Sequence, residues 1–134
     1  MTKKKISDLT IYGYITVAIK VLTVPPDASK SIRKKLDGLS ATIYGELIDD
    51  FPCYLIGQLA RNSNVPSSSL KGKTLLDFAQ DIVGQAVDAV GGRYILIECK
   101  DSQKLVRFYE ENGFKGFSRM TYDCQTLVQM MKKI

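Results

Sequence analysis

The chain has 134 residues, 45% of them apolar and 25% charged, with 19 Lys and Arg against 14 Asp and Glu. That length suits one domain with one real core, and the composition excludes disorder, collagen-like repeats and a disulfide scaffold. There is no histidine, and Cys53, Cys99 and Cys124 are widely spaced, which excludes a Ser-His-Asp or Cys-His hydrolase and argues against a zinc site or a secreted framework.

Met1 to Lys5 is basic, but Ser7 and Asp8 interrupt what would be a signal-peptide core. No apolar run approaches the roughly 18 residues of a membrane helix, so the expected compartment is the cytoplasm. Leu9 to Val24 reads as a long strand rich in Ile, Val, Thr and Tyr, ended by Pro25-Pro26. Asp27 is placed to cap a short helix over Ala28 to Leu36, which Gly38 can stop. This helix carries Lys30, Arg33, Lys34 and Lys35. The first 40 residues hold eight Lys and Arg against three Asp, while the rest of the chain holds eleven of each sign. The whole positive excess is therefore N-terminal. Such a surface attracts phosphates at long range, and it reads also as a solubilising face. No aromatic residue interleaves the cluster, so base stacking is not indicated there.

Residues 39–51 fit no single pattern. Phe51 to Arg61 reads as a second strand, apolar enough to be buried on both faces. A polar loop over 62–69 follows. Leu75, Leu76, Ala79, Ile82, Val83, Ala86, Val87 and Val90 then fall on one helical stripe, ended by Gly91-Gly92. Tyr94 to Cys99 is a short buried strand. Ser102 can cap a helix running to about Glu111, with Asn112-Gly113 as its C-terminal cap. Phe114 to Tyr122 looks like a last strand, and Leu127 to Lys133 suggests a terminal helical turn or two. The order predicts an α/β domain with a mixed sheet, the strands at 51–61 and 94–99 being parallel neighbours through a right-handed crossover.

The chemically informative unit is strand, Ser/Gly loop, helix start: Leu59-Ala-Arg-Asn, then Ser67-Ser-Ser-Leu-Lys-Gly-Lys-Thr74. Free N–H groups at a helix N-terminus bind phosphate without a dedicated side chain, and Lys71 and Lys73 add charge. This is not a P-loop, because position 67, where that motif needs Gly, is Ser. By itself the loop reads just as well as an ordinary capped helix.

Four segments together resemble the GNAT family of N-acetyltransferases: Leu55-Ile-Gly-Gln-Leu-Ala-Arg-Asn62, Leu70-Lys-Gly-Lys-Thr-Leu-Leu76, Tyr94-Ile-Leu-Ile-Glu-Cys99 and Arg107-Phe-Tyr-Glu-Glu-Asn-Gly-Phe114. The nearest branch is the bacterial toxin type, which acetylates aminoacyl-tRNA. The resemblance covers roughly residues 50–117. It implies a GNAT-like mixed central sheet flanked by helices, whose parallel strands at 51–61 and 94–99 splay apart. It implies acetyl-CoA as cosubstrate and no metal. Leu59, Ala60 and Arg61 would pair with the pantetheine, and Ser68, Ser69, Leu70, Lys71, Gly72 and Lys73 would hold the pyrophosphate. Tyr109, matching the family's Phe-Tyr-x-x-x-Gly-Phe tyrosine, would protonate the departing thiolate; its other reading is an ordinary core tyrosine. The chain departs from the family pattern at Ser67 and at Leu70, where Gly is expected. It also places only 11 residues before Tyr12, so the single domain is expected to lack the usual first strand and substrate-covering helices, or to complete its site by dimerising.

The strand 51–61 holds no Asp, Glu or His to serve as base. A lysine acceptor, with pKa about 10.4, would then stay protonated near neutral pH, whereas an α-amine, near 8, is partly neutral already. The missing base and the basic N-terminal region (Lys30, Arg33, Lys34 and Lys35) both point toward the α-amine of aminoacyl-tRNA, with tRNA and an antitoxin as partners. The alternative is a degenerate GNAT-like protein that binds CoA weakly or not at all and serves as a binding module.

Overall fold

A computed structural model describes residues 9–23, 42–43, 46–47 and 50–134. The expected helix at 28–36, with Lys30, Arg33, Lys34 and Lys35, lies outside the described residues. The elements are β1 (Gly13–Thr23), β2 (Thr42–Ile43), β3 (Glu46–Leu47), β4 (Asp50–Arg61), α1 (Gly72–Val90), β5 (Tyr94–Lys100), α2 (Gln103–Glu111), β6 (Lys115–Tyr122) and β7 (Gln125–Lys133). β2 and β3 form a two-residue antiparallel pair, and the remaining five strands form one sheet in the order β1-β4-β5-β7-β6.

β1 and β4 run antiparallel over their whole length, with a register shift at Thr16/Val17. β4 and β5 are parallel, as the crossover through an amphipathic helix requires. Period-two alternation sends successive side chains to opposite faces. One face buries Tyr54 and Ile56 of β4, Ile95, Ile97 and Cys99 of β5, and Val128 and Met130 of β7 against Leu76, Ala79 and Val83 of α1 and Tyr109 of α2. The other face gathers Leu22, Phe51, Cys53, Tyr94, Leu96 and Met131, with no described helix residue among them. β4 and β5 are buried on both faces where they pair, which is why their sequences are nearly continuous apolar runs.

Residues 125–133 are a strand rather than helical turns. β7 is hydrogen-bonded on both sides, to β5 and to β6, and that pairing overrides the helix propensity of Leu, Gln, Met and Lys. The hairpin turn before it, Asp123 and Cys124, has positive φ at both residues (44° and 64°), the geometry of a type I′ turn. Without the Asn-Gly or Asp-Gly that usually announces it, the hairpin is hard to read from sequence.

The C-terminus of α1 is set by glycine. Gly91 donates to Val87 O at 2.8 Å, and the Tyr54 hydroxyl donates to Gly91 O. Gly92 has φ of +132°, and a Cβ there would lie 2.4 Å from the Tyr54 ring, so only glycine fits. α2 ends at Asn112-Gly113, with Phe114 N–H returning to Tyr109 O at 3.0 Å. Lys132 of β7 closes this corner: it donates to Gln80 Oε1 at 2.8 Å and Asn112 O at 3.0 Å and lies 5.7 Å from the Phe114 ring centre. Ser102 occupies the N-cap position of α2 but makes no side-chain capping bond. Its carbonyl instead accepts from Val106 N–H at 2.9 Å.

Candidate active site

β4 and β5 pair over only three rungs, Tyr54↔Ile95, Leu55↔Leu96 and Ile56↔Ile97. Beyond them β4 continues from Gly57 to Arg61 and β5 from Glu98 to Lys100 with no ladder between the two. β4 remains paired with β1 on its other side as far as Arg61↔Gly13, and β5 with β7 as far as Lys100↔Leu127. Each strand is thus held from outside while the two part inside, leaving a fork edged by backbone N–H and C=O groups. Leu59, Ala60 and Arg61 lie on one arm of that fork. Backbone polar groups in a fork of this kind need a partner, either water or a ligand with amide groups of its own.

The loop from β4 to α1 is tied down at both ends. Asn62 N–H donates to Tyr12 O at 2.7 Å, and its side-chain amide donates to Ile11 O at 2.8 Å. Further along, the Arg61 guanidinium donates to Leu70 O at 3.2 Å and more loosely to Ser67 O at 3.4 Å. Arg61 is therefore a brace for the loop as well as a member of the fork. Leu70 turns its side chain inward: a Cβ on Gly13 would lie 2.8 Å from Leu70 Cδ2 and 2.8 Å from Ala60 O. Leu70 stands where a family member would carry glycine, yet its bulk is spent on β1, away from the outer side of the loop.

α1 begins at Gly72. Lys71 is its N-cap residue, in extended conformation, with no side-chain capping bond and no acidic residue in the first turn. The serines of the loop, Ser68 and Ser69 included, thus do not cap the helix. The N–H groups of the first turn and the positive end of the helix dipole are left for an external anion. Lys73 shares its charge with Asp77 at 3.2 Å, in an exposed pair four residues apart. Lys71 makes no ion pair among the described residues. Gly72 faces the Phe108 ring of α2: a Cβ there would meet it at 3.5 Å. On α2, Gln103, Lys104, Arg107, Phe108 and Glu111 line an open cavity of about 410 Å³. Lys104 and Arg107 were not among the residues expected from the sequence. The one sequence signal for them is their i, i+3 spacing on the exposed side of α2.

Tyr109 lies on the opposite side of α2, buried to 7% exposure. Its ring makes edge contacts with Phe108 at 5.1 Å and Phe114 at 5.8 Å between centres, and it belongs to the cluster that holds Ile97 and Cys99 of β5. Burial, and to a lesser degree the nearby Cys99 thiol, raise its pKa. It therefore stays a neutral phenol, the form that can donate a proton. No hydrogen bond joins its hydroxyl to any described residue. The ring is a core residue and the hydroxyl is an orphan, an arrangement that usually signals a missing partner. Cys53 and Cys99 are buried free thiols, and Cys124 is exposed. No group of three or more His, Cys, Asp and Glu residues suited to a metal ion occurs among the described residues, and no helix among them is long and apolar enough to cross a membrane.

No protein-family profile and no curated protein matches this chain. Solved structures do. The NatC complex bound to Gag peptide and CoA is 16% identical, with 92% of this chain and 61% of that chain covered, at a TM-score of 0.56. AtaT complexed with acetyl-methionyl-tRNAfMet is 23% identical over 87% of this chain and 61% of that chain, at a TM-score of 0.56. A tyrosine-to-phenylalanine mutant of AtaT bound to the C-terminus of the antitoxin AtaR and acetyl-CoA is 18% identical over 91% and 58%, at 0.53. The chain spans about three-fifths of the length of these structures. At this identity the likeness is one of fold: a mixed sheet flanked by helices, the fold of the GNAT acetyltransferases.

Proposed function

We propose that the chain is an acetyl-CoA-dependent N-acetyltransferase acting on a primary amine. The observation that carries this reading is the fork: two parallel strands that separate after three rungs, beside a helix N-terminus with neither side-chain cap nor acidic residue. A pantetheine arm is an extended chain of amides and fits between two strand edges as a further strand would. A pyrophosphate fits the first turn of α1, with Lys71 and Lys73 around it and the loop braced by Arg61. Lys104 and Arg107 supply further cationic groups beside Phe108 for the rest of a polyanionic ligand. Ser68, Ser69, Leu70 and Gly72 contribute backbone to this cradle.

In the reaction the neutral amine nitrogen attacks the thioester carbonyl carbon. The N–C bond forms and the C–S bond breaks. The thiolate takes the Tyr109 phenol proton, and the surplus proton of the amine passes to solvent, from which Tyr109 is reprotonated. A tyrosine held neutral by burial, with an unpartnered hydroxyl, suits that role. The α-amine of an aminoacyl-tRNA is the acceptor this reading favours. β4 carries no acid between Phe51 and Arg61 to deprotonate a lysine, and the structures of like fold include one in complex with acetyl-methionyl-tRNA. The solved complex of an AtaT mutant with the C-terminus of the antitoxin AtaR supports an antitoxin partner.

Titration calorimetry with acetyl-CoA tests the reading directly. Binding in the micromolar range is expected, and no heat at millimolar ligand with folded protein removes the enzyme. Tyr109→Phe should lower kcat by about 100-fold while leaving KM for acetyl-CoA nearly unchanged, the signature of a proton donor used in the transition state. Changing Lys30, Arg33, Lys34 and Lys35 together to Gln tests the RNA acceptor. It should weaken tRNA binding across all sequences and flatten its salt dependence by nearly one unit of slope per lost phosphate contact.

A further inference from the structure

The fork has two faces, and the acid residue nearest to it lies on the face the helices leave uncovered. Glu98 follows Ile97, the last β5 residue paired with β4, so it stands at the point where the strands part. Ile97 and Cys99 pack in the helix-side cluster, and Leu96 belongs to the cluster on the other face. Alternation therefore turns Glu98 to the face opposite Tyr109. We propose that the Glu98 carboxylate is the acceptor-amine subsite of the acetyl transfer. Lys20, a primary ammonium of this chain's own, occupies that subsite until an acceptor displaces it. The proposal rests on the N-acetyltransferase reading above and names the group that receives its amine.

The local chemistry supports it in three ways. First, Glu98 is the only carboxylate set at the fork among the described residues. Asp50 lies at the far end of β4, where it accepts from the Thr23 hydroxyl at 2.8 Å, and Asp101 is paired with Arg119. Second, the carboxylate is already bound to the functional group an acceptor would bring. The Lys20 ammonium donates to Glu98 Oε1; the two side chains are 28% and 14% exposed. Lys20 pairs in register with Cys53, so its stem crosses β4 to reach β5, a long reach for a contact that a surface residue would not need. Third, the carboxylate is held from the other side. Gln129, at 3% exposure, is the one buried polar or charged residue among those described. It directs Nε2 at Glu98 Oε1 across 3.5 Å, and the Ser118 hydroxyl donates to its Oε1, which fixes the amide in that orientation. Among the described residues nothing donates to Glu98 Oε2, leaving an acceptor atom for a second N–H.

This arrangement lets the two reacting partners approach from opposite faces. The thioester occupies the fork, Tyr109 meets its sulfur from the helix side, and the amine is delivered on the Glu98 side. Once an acceptor ammonium replaces that of Lys20, the charge count at the carboxylate is unchanged, so displacement does not strand a half-buried anion; the bound ammonium then gives one proton to solvent, and the neutral nitrogen attacks.

Two substitutions of nearly constant volume separate this from a merely structural ion pair. Acetylation is followed at varied amine concentration, with a total aminoacyl-tRNA pool and with glycinamide as acceptors, and acetyl-CoA binding is measured in parallel. Lys20→Met vacates the subsite and should lower KM for the amine about threefold or more. Glu98→Gln removes the charge that holds the ammonium and should raise it about tenfold or more. Acetyl-CoA affinity should stay within about twofold in both, since neither residue borders the pyrophosphate loop. A structural ion pair predicts that the two variants move KM in the same direction or not at all, and either result overturns the proposal. Should Glu98→Gln fail to fold, Lys20→Met decides alone: a fall in KM supports the subsite, an unchanged or higher KM removes it. A parent that binds acetyl-CoA and acetylates an amine while the variants miss these expectations leaves the enzyme standing and discards only the subsite. A parent that does neither discards both.

Discussion

β4 is one strand with two lives. From Phe51 to Ile56 it buries side chains on both faces, and over Tyr54–Ile56 it is paired with both β1 and β5; from Gly57 to Arg61 it is paired on one side and no residue is fully buried. Composition separates them in part, since Phe-Pro-Cys-Tyr-Leu-Ile is almost wholly apolar and Gly-Gln-Leu-Ala-Arg carries two long polar side chains. The neighbour differs as well. Where β5 follows in register, backbone groups are satisfied within the sheet and the side chains build the core. Where β5 turns away, the same kind of strand offers its backbone to something else. The lower half builds the core, and the upper half leaves backbone groups unpaired toward β5.

The sharpest way to test that division is to damage each half with the same substitution. Leu96, fully buried beside the paired stretch, should cost about 3 kcal/mol when changed to Ala, whereas Leu59→Ala in the parted stretch should cost about 1 kcal/mol. Urea unfolding measures both, and acetyl-CoA affinity should fall in Leu59→Ala alone. Equal losses of stability would erase the distinction between the halves.

Gly92→Ala strikes the paired half from the helix end. It places a methyl 2.4 Å from the Tyr54 ring at a φ of +132°, and a loss of about 2 to 3 kcal/mol is expected in thermal unfolding. Gly84→Ala, inside α1 with nothing within 4 Å of the added methyl, is the control and should be neutral or slightly stabilising.

The dryness of the paired half is also readable in its response to alkali. Burial pushes the Cys53 thiol up from 9.0 to about 11, with Lys20 pulling in the opposite direction. A thiol whose folded pKa is raised holds its proton more tightly in the native state. Its contribution is complete below the unfolded value and is lost as pH climbs from about 9 through 11, on the order of 2 kcal/mol in all. Tyr94 and Tyr109, also raised by burial, act in the same sense. Cys53→Ala should remove part of the fall between pH 9 and 11 in a stability–pH profile, and a profile identical to the parent's would show that the thiol is wetter than its burial implies.

The smallest effect belongs to the parted half. Arg61→Gln releases the carbonyls of Ser67 and Leu70 from an exposed brace. Stability should change by less than about 0.5 kcal/mol, while acetyl-CoA affinity should drop about fivefold because the loop must then be ordered by the ligand. A large stability loss with unchanged affinity would make Arg61 part of the fold rather than of the site.

Much of this architecture was legible in the residues. The stripe from Leu75 to Val90, the Gly91-Gly92 stop, the buried run Tyr94 to Cys99 and the Asn112-Gly113 cap each state a local preference strongly, and each recurs in the structure within a residue or two. The β6–β7 hairpin was not legible, because its turn uses Asp123-Cys124 where positive φ usually calls for glycine. Ser102 had the right identity for a side-chain cap and does not act as one. Among the residues expected at the site, Leu59, Ala60 and Arg61 lie on one arm of the fork and the 68–73 loop leads into α1. The Lys20–Glu98 contact was not legible, because proximity across a sheet leaves no trace in one strand's sequence.

Taken by itself, the sequence determined the helices α1 and α2 and the strands β1, β4, β5 and β6, and that a loop rich in small and basic residues leads into the long helix. Those are local matters, decided by periodicity, glycine and chain stiffness within a dozen residues. Only the tertiary structure decided that β7 enters the sheet between β5 and β6. It decided too that β4 and β5 stay together for three rungs and then part, and that Lys20 reaches Glu98 across 78 positions of sequence. Each of these depends on which strand edge meets which, a choice made by summed burial and hydrogen bonding over the whole sheet.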